Sequence, residues 1–296
     1  MASEYLLQYL LAGVTIGSIY AIVAIGYNII YNTTGVINFA QGEFVMLGAM
    51  SAISLNQVLP LPAAIICSVL VAVLVGGAIE LVFIRPLHRP SVVRMVIITI
   101  GLSILIREIA LHIWGEQVRS LPFFTGSSRS SIGILGAYIS PQVLWVLGTC
   151  SVVVLALALF FSLTSTGQAM RACSANRIAA SLCGINTRNM VTLSFMLSAG
   201  IGALAGCVVS PITMSRYDYG TNLAIKGFTV AIMGGLGNSV GAVAAGVLVG
   251  ILETTSISLL PLAYKDAISI GILLIILFFR PSGLFGNTRT GALKEF

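Results

Sequence analysis

The chain has 296 residues, 57% of them hydrophobic and only 8% charged, with a formal net charge of +6. A soluble globular chain carries about a quarter charged residues, so water is not the main solvent here. The basic residues do not cluster with aromatics as a nucleic-acid surface requires, and no nucleic-acid partner is expected. Cys67, Cys150, Cys173, Cys183 and Cys207 lack metal-ligand spacing, which points to neither a disulfide framework nor a metal site.

Apolar runs of roughly 18 residues or more, enough to cross a bilayer as a helix, recur along the chain. They predict an all-α, polytopic integral membrane protein with about eight or nine transmembrane segments, some broken or re-entrant, forming a single domain over 1–296. The segments are expected at 6–31, 38–58, 63–84, 92–114, 142–163, 190–212, 225–237, 240–260 and 266–280, the seventh being too short to span unaided. No Lys or Arg precedes Arg85, so the first run lacks the basic flank of a cleaved signal peptide and is expected to stay in the mature protein.

Two stretches interrupt the apolar pattern with glycine and amide side chains: GVINFAQGEFVMLGA from Gly35 to Ala49, and GFTVAIMGGLGNSVGA from Gly227 to Ala242. Irregular backbone at membrane depth is tolerated where protein or a wet cavity satisfies it, and paired interruptions point to a translocation path. That reading selects Asn38, Gln41, Glu43, Met233, Gly234, Gly235 and Asn238. The alternative is a pair of interfacial turns, for which Asn38 and Asn238 are equally suited.

Basic residues fall into three groups: Arg85, Arg89 and Arg94; Arg171, Arg177 and Arg188; Arg280, Arg289 and Lys294. The positive-inside rule assigns all three to the cytoplasm and the N-terminus to the outside. Arg119, Arg129, Arg216, Lys226 and Lys265 then fall outside. Glu43, Glu80, Arg107, Glu108 and Glu253 lie within apolar segments and are expected to point into the bundle, because each costs a few kcal/mol in hydrocarbon unless paired or hydrated. Glycines four apart, Gly13 with Gly17, Gly202 with Gly206, Gly237 with Gly241 and Gly246 with Gly250, are expected to let helices approach closely.

The basic internal loop reads STGQAMRACSANRIAASLCGINTRN from Ser165 to Asn189. Ala169, Ala172, Ala175, Ala179 and Leu182 recur at helical spacing, Arg171 and Arg177 fall on another face, and Gly184 is a natural stop. An amphipathic helix over 167–184 is predicted. Its alanine ridge suits a groove in another protein, or the helix lies on anionic membrane lipid.

GVTIGSIYAIVAIGYNIIY from Gly13, INFAQGEF from Ile37, RACSANRIAASLCGIN from Arg171 and FTVAIMGGLGNSVGAVAAGVLVG from Phe228 resemble the permeases of branched-chain amino acid ABC transporters, of the LivH type. The resemblance covers almost the whole chain. It implies a permease subunit of the bacterial inner membrane, working with two ATP-binding cassette subunits, a homologous second permease or a second copy, and a periplasmic substrate-binding protein. It also implies that the 167–184 segment is a coupling helix, with Arg171, Ala172, Ala175, Asn176, Arg177, Ala179, Leu182 and Gly184 facing the ATPase. Where the general importer motif opens Glu-Ala-Ala, this chain has Ser174, Ala175 and Asn176.

No G-x-x-x-x-G-K-[ST] phosphate loop and no H-E-x-x-H or G-x-S-x-G motif occurs, and His88 and His112 have no evident companion base. The chain is therefore expected to hold no catalytic centre and no cofactor of its own. The competing reading is a self-sufficient, ion-coupled secondary transporter using intramembrane carboxylates such as Glu43.

Overall fold

A computed structural model describes residues 2–87, 91–127, 129–134, 137–257, 261 and 264–286. His88, Arg89, Arg289 and Lys294 lie outside them. In chain order the elements are α1 (Ala2–Thr34), α2 (Gln41–Leu55), α3 (Leu61–Ile79) prolonged by a π turn over Glu80–Ile84, and α4 (Val92–Trp114). A short hairpin follows, β1 (Ile132–Ile134) with β2 (Ala137–Ile139), then α5 (Pro141–Leu163), α6 (Ser165–Ala175) and α7 (Arg177–Leu182). The chain continues through α8 (Thr187–Thr213), α9 (Tyr219–Gly234), α10 (Ser239–Ser256) and α11 (Lys265–Phe279).

Among the described residues six helices are long and apolar enough to cross a membrane, so the protein is an all-α, multi-pass membrane protein. α2, α9 and α11, of 15, 16 and 15 residues, fall short of the ~30 Å hydrocarbon core at about 1.5 Å per residue. The antiparallel hairpin, with Ile132 opposite Ile139, is absent from the sequence expectation. Helix starts follow local chemistry: Ser91 accepts from the Arg94 amide, Ser140 from Gln142 ahead of Pro141, Thr164 from Gly167 and Asn186 from Asn189.

α1 is the axis of the bundle, buried almost without interruption from Ile19 to Ile30. α10 crosses it where glycine faces glycine. A Cβ on Gly17 would stand 2.4 Å from the Gly246 carbonyl oxygen, and one on Gly250 would stand 2.2 Å from that of Gly13. Gly202 and Gly206 likewise receive α2, at Phe44 and Val45. Gly237 and Gly241 depart from expectation: Gly237 sits at φ +90° in the α9–α10 turn, so the pair shares no helix face.

α3, α4 and α5 are peripheral. α4 buries only Met95, Thr99, Leu102, Ile106 and Ala110, leaving Ile97, Ile100, Ile104 and Ile109 exposed. Glu108 falls on that outer face and is exposed, so it does not point into the bundle. A helix packed along one stripe has no room to turn every polar side chain inward.

Polar groups collect at two ends. Arg85, Arg177 and Arg188 surround the end of α1 at Thr34, with Arg171 near Asn32 and Thr33. Beyond Arg280, Leu284 N–H donates to the Met233 carbonyl at 2.7 Å, tying residues after α11 to the α9–α10 turn at the same end. At the opposite end Arg119 forms a β-bridge with Ser215, Arg216 pairs with Asp218, and Gln8 exchanges hydrogen bonds with the Tyr138 backbone of the hairpin. Lys226, expected outside, turns inward, its Nζ lying 3.3 Å from Glu253 Oε1.

Candidate coupling surface and translocation path

The 167–184 segment is two helices rather than one. Asn176 is extended (φ −155°, ψ 109°) and closes α6 while opening α7, its Oδ1 accepting from the Ala179 amide at 3.0 Å. An asparagine side chain competes well with helical backbone bonding, which is why a cap forms where periodicity alone predicts continuity. The alanine ridge is divided accordingly. α6 seats Gly167, Met170 and Cys173 inward, Met170 packing with Ile25, Ile29 and Leu157 of α1 and α5. Ala172 is half-buried, whereas Ala175, Asn176, Arg177, Ala179 and Gly184 are exposed. Ile178 and Leu182 stand 75% and 84% exposed, giving α7 an outward apolar surface flanked by Arg177. Sequence periodicity missed Ile178, since it lies off the alanine face.

The first interrupted stretch breaks the chain between α1 and α2. Asn38 Oδ1 accepts from the Ala40 amide at 3.1 Å, while its Nδ2 is buried without a hydrogen-bond partner. Gln41 is fully buried beside Gly26, its Nε2 donating to the Ser198 carbonyl at 3.3 Å, and Ser198 Oγ donates to Gly26 at 2.8 Å. Glu43 Oε1 accepts from Ser103 at 2.9 Å and Thr221 at 3.4 Å, and Arg107 Nη1 reaches the same threonine oxygen at 3.4 Å. The other carboxylate oxygen, Oε2, is buried without a hydrogen-bond partner. Three helices therefore meet in a polar knot at membrane depth, where such groups are expensive and must face one another or water. Gly42 and Gly220 make it possible: a Cβ on Gly42 would stand 2.1 Å from the Gly220 carbonyl oxygen.

The second stretch is the α9–α10 turn. Met233 and Gly234 are buried, Gly235 adopts φ +92°, and Asn238 caps α10 through the Gly241 amide at 3.0 Å. Asn28 and Asn32 of α1 hold the turn, accepting from Gly237 N–H at 3.0 Å and donating to its carbonyl at 3.0 Å. The two stretches thus lean on neighbouring turns of α1, Gln41 at Gly26 and residues 237–238 at Asn28. Asn238 shares a cavity of about 550 Å³ with Arg171, Ser174 and Asn32, which joins this turn to α6. Asn38, Gln41, Glu43 and Met233 are sealed inside the subunit.

Sequence reasoning missed Ser103, Thr221 and Ser198. A signal existed for the first: Thr99, Ser103 and Arg107 recur every four residues in an otherwise apolar α4, a polar line down one face. Among the described residues no group of three or more His, Cys, Asp or Glu is placed to hold a metal ion.

The fold is that of a multi-pass membrane protein whose bundle turns polar side chains onto one another inside and carries an exposed helical knuckle at one end. The chain belongs to the family described as branched-chain amino acid transport system / permease component, whose profile matches residues 9–277. It is 33% identical over 298 residues to the high-affinity branched-chain amino acid transport system permease protein BraD of Pseudomonas aeruginosa, covering 95% of this chain and 96% of that protein. Its identity to LivH of Salmonella typhimurium and of Escherichia coli K12 is 32%, over 96% of each chain. Among solved structures, PsaBC from Streptococcus pneumoniae in complex with Fab covers 97% of this chain and 94% of its own, at a TM-score of 0.48 and 13% identity.

Proposed function

We propose that this chain is a membrane-spanning subunit of a bacterial inner-membrane ABC importer, forming the path for branched-chain or related amino acids. The observation that carries this reading is its similarity, end to end, to permeases named for high-affinity branched-chain amino acid transport. Two ATP-binding cassette subunits hydrolyse the ATP, a homologous second permease or second copy completes the path, and a periplasmic binding protein delivers the substrate. α1 to α5 and α8 to α11 make nine membrane segments, the last four alternating with the first five to leave the N-terminus outside. The arginine-rich end is then cytoplasmic.

α6 and α7 form the coupling segment. Ala175, Asn176, Arg177, Ile178, Ala179 and Leu182 meet the ATPase, while Met170 and Cys173 carry its displacement to α1 and α5. The ordered Arg119–Ser215 bridge and the hairpin offer a surface for the binding protein at the other end. Within the membrane, rearrangement of the Glu43–Thr221–Arg107 knot and of the Gly235–Asn238 turn opens the path.

The test is uptake of labelled leucine into proteoliposomes holding this chain with its permease, ATPase and binding-protein partners. Uptake requiring ATP and every partner supports the importer. Uptake by this chain alone, driven by an ion gradient, establishes the secondary transporter instead.

A further inference from the structure

Near the end of α1 lies a second cavity, of about 700 Å³, distinct from the one that Asn238 lines. The π turn ends there, α4 starts there, and α7 and the first turns of α8 close it. Arg85, Arg177 and Arg188 line it together, each from a different segment. Among the described lining residues the one acidic group is Glu80, which is buried, its Oε2 accepting from Thr192 at 2.6 Å. Positive charge is therefore in excess. The remaining walls are mostly apolar, Ile84, Pro86, Leu87, Met95 and Val191, with Thr34 as the other polar residue among those described. On the same two segments as Ile84 and Met95, Val82 and Phe83 of the π turn and Val93 and Ile97 of α4 are exposed.

An arginine cluster beside exposed apolar helix faces fits one chemistry. Guanidinium groups fork onto phosphate oxygens, and basic pockets between transmembrane helices on the cytoplasmic side suit anionic headgroups whose acyl chains follow the adjoining apolar wall. We propose that this cavity binds the phosphodiester headgroup of an anionic phospholipid, its acyl chains lying along α3 and α4. Arg177 makes the lipid more than solvent. It belongs to α7, so an occupied cavity tethers the coupling segment to the membrane through a second point besides Met170.

The test uses the purified full-length chain in neutral detergent, alone and assembled with its ATPases, titrated with phosphatidylglycerol and with phosphatidylcholine. Phosphatidylglycerol should be retained and phosphatidylcholine not. The double variant Arg85→Ala with Arg188→Ala should weaken retention roughly thirtyfold, at about fivefold per arginine. Glu80→Gln, which keeps the Thr192 hydrogen bond and removes the opposing charge, should tighten it severalfold, a gain that misfolding does not produce. Arg216→Ala, at the other end of the bundle, should leave lipid retention unchanged. Equal retention of the two lipids, or a double variant that binds normally, overturns the proposal. Displacement by millimolar inorganic phosphate as effective as by added phosphatidylglycerol makes the site one for a free anion, and overturns the lipid. Release of bound lipid when the ATPases assemble assigns the arginines to the protein interface, and overturns it too. None of these readouts depends on transport, so their failure is separable from failure of the importer reading.

Discussion

Alanine at Gly17 puts a methyl group 2.4 Å from the Gly246 carbonyl oxygen and 2.7 Å from the Val247 Cα, where ordinary contact begins at 3.4 Å. Both neighbours are backbone, so no side-chain rotation relieves the clash. α1 and α10 must part by about 1 Å, which forfeits roughly a quarter to a half of each contact's dispersion well along the seam. Overpacking of this kind costs about 1–3 kcal/mol, against a gain of up to ~1 kcal/mol from alanine's helix propensity. The expected net is a loss of about 1–2 kcal/mol. Gly101 of α4 has nothing within 4 Å of the same added carbon, so Gly101→Ala should be neutral or slightly stabilising. The assay is reversible unfolding of each purified variant in mixed micelles titrated with denaturing detergent, followed by far-UV circular dichroism. Opposite signs for the two substitutions are predicted. A Gly17→Ala protein as stable as Gly101→Ala would refute the close-packed seam.

Three further outcomes are expected. Lys226→Met removes the cation beside buried Glu253 and should destabilise the fold by about 3–5 kcal/mol, much of it restored by adding Glu253→Gln; micelle unfolding of the single and double variants checks this. Asn176→Ala deletes the α7 cap at a cost of about 1 kcal/mol, so α7 amides should exchange roughly fivefold faster by hydrogen-exchange mass spectrometry while α8 amides stay unchanged. Glu43→Gln preserves shape and can still accept from Ser103, so ATP-driven uptake should persist in proteoliposomes; its abolition would show that the Glu43 carboxyl group is needed for transport.

Six of the spans were legible because hydrocarbon imposes a length rule that a long apolar run obeys independently of its neighbours. The glycine seam was legible for a related reason: spacing places Gly246 and Gly250 on one face whatever they meet. What lay hidden depends on partners distant in sequence. Glu43 gives no local sign that Ser103 and Thr221 will meet it, and Glu108 stays out because it lies on the outer face of α4, whose inner face carries Ser103 and Arg107. The split at Asn176 was hidden for the opposite reason. One side chain's local hydrogen bond outweighs a periodic alanine pattern that reads as a continuous helix.

The proposed coupling role puts force transfer between this chain and an ATPase on the α6–α7 segment. ATP-dependent leucine uptake and ATPase activity in reconstituted complexes, compared between wild type, Ala175→Arg and Ala179→Arg, test it most directly. Loss of both transport and substrate-stimulated hydrolysis, with the two membrane subunits still associated, is the predicted result; unchanged uptake in both variants would contradict it.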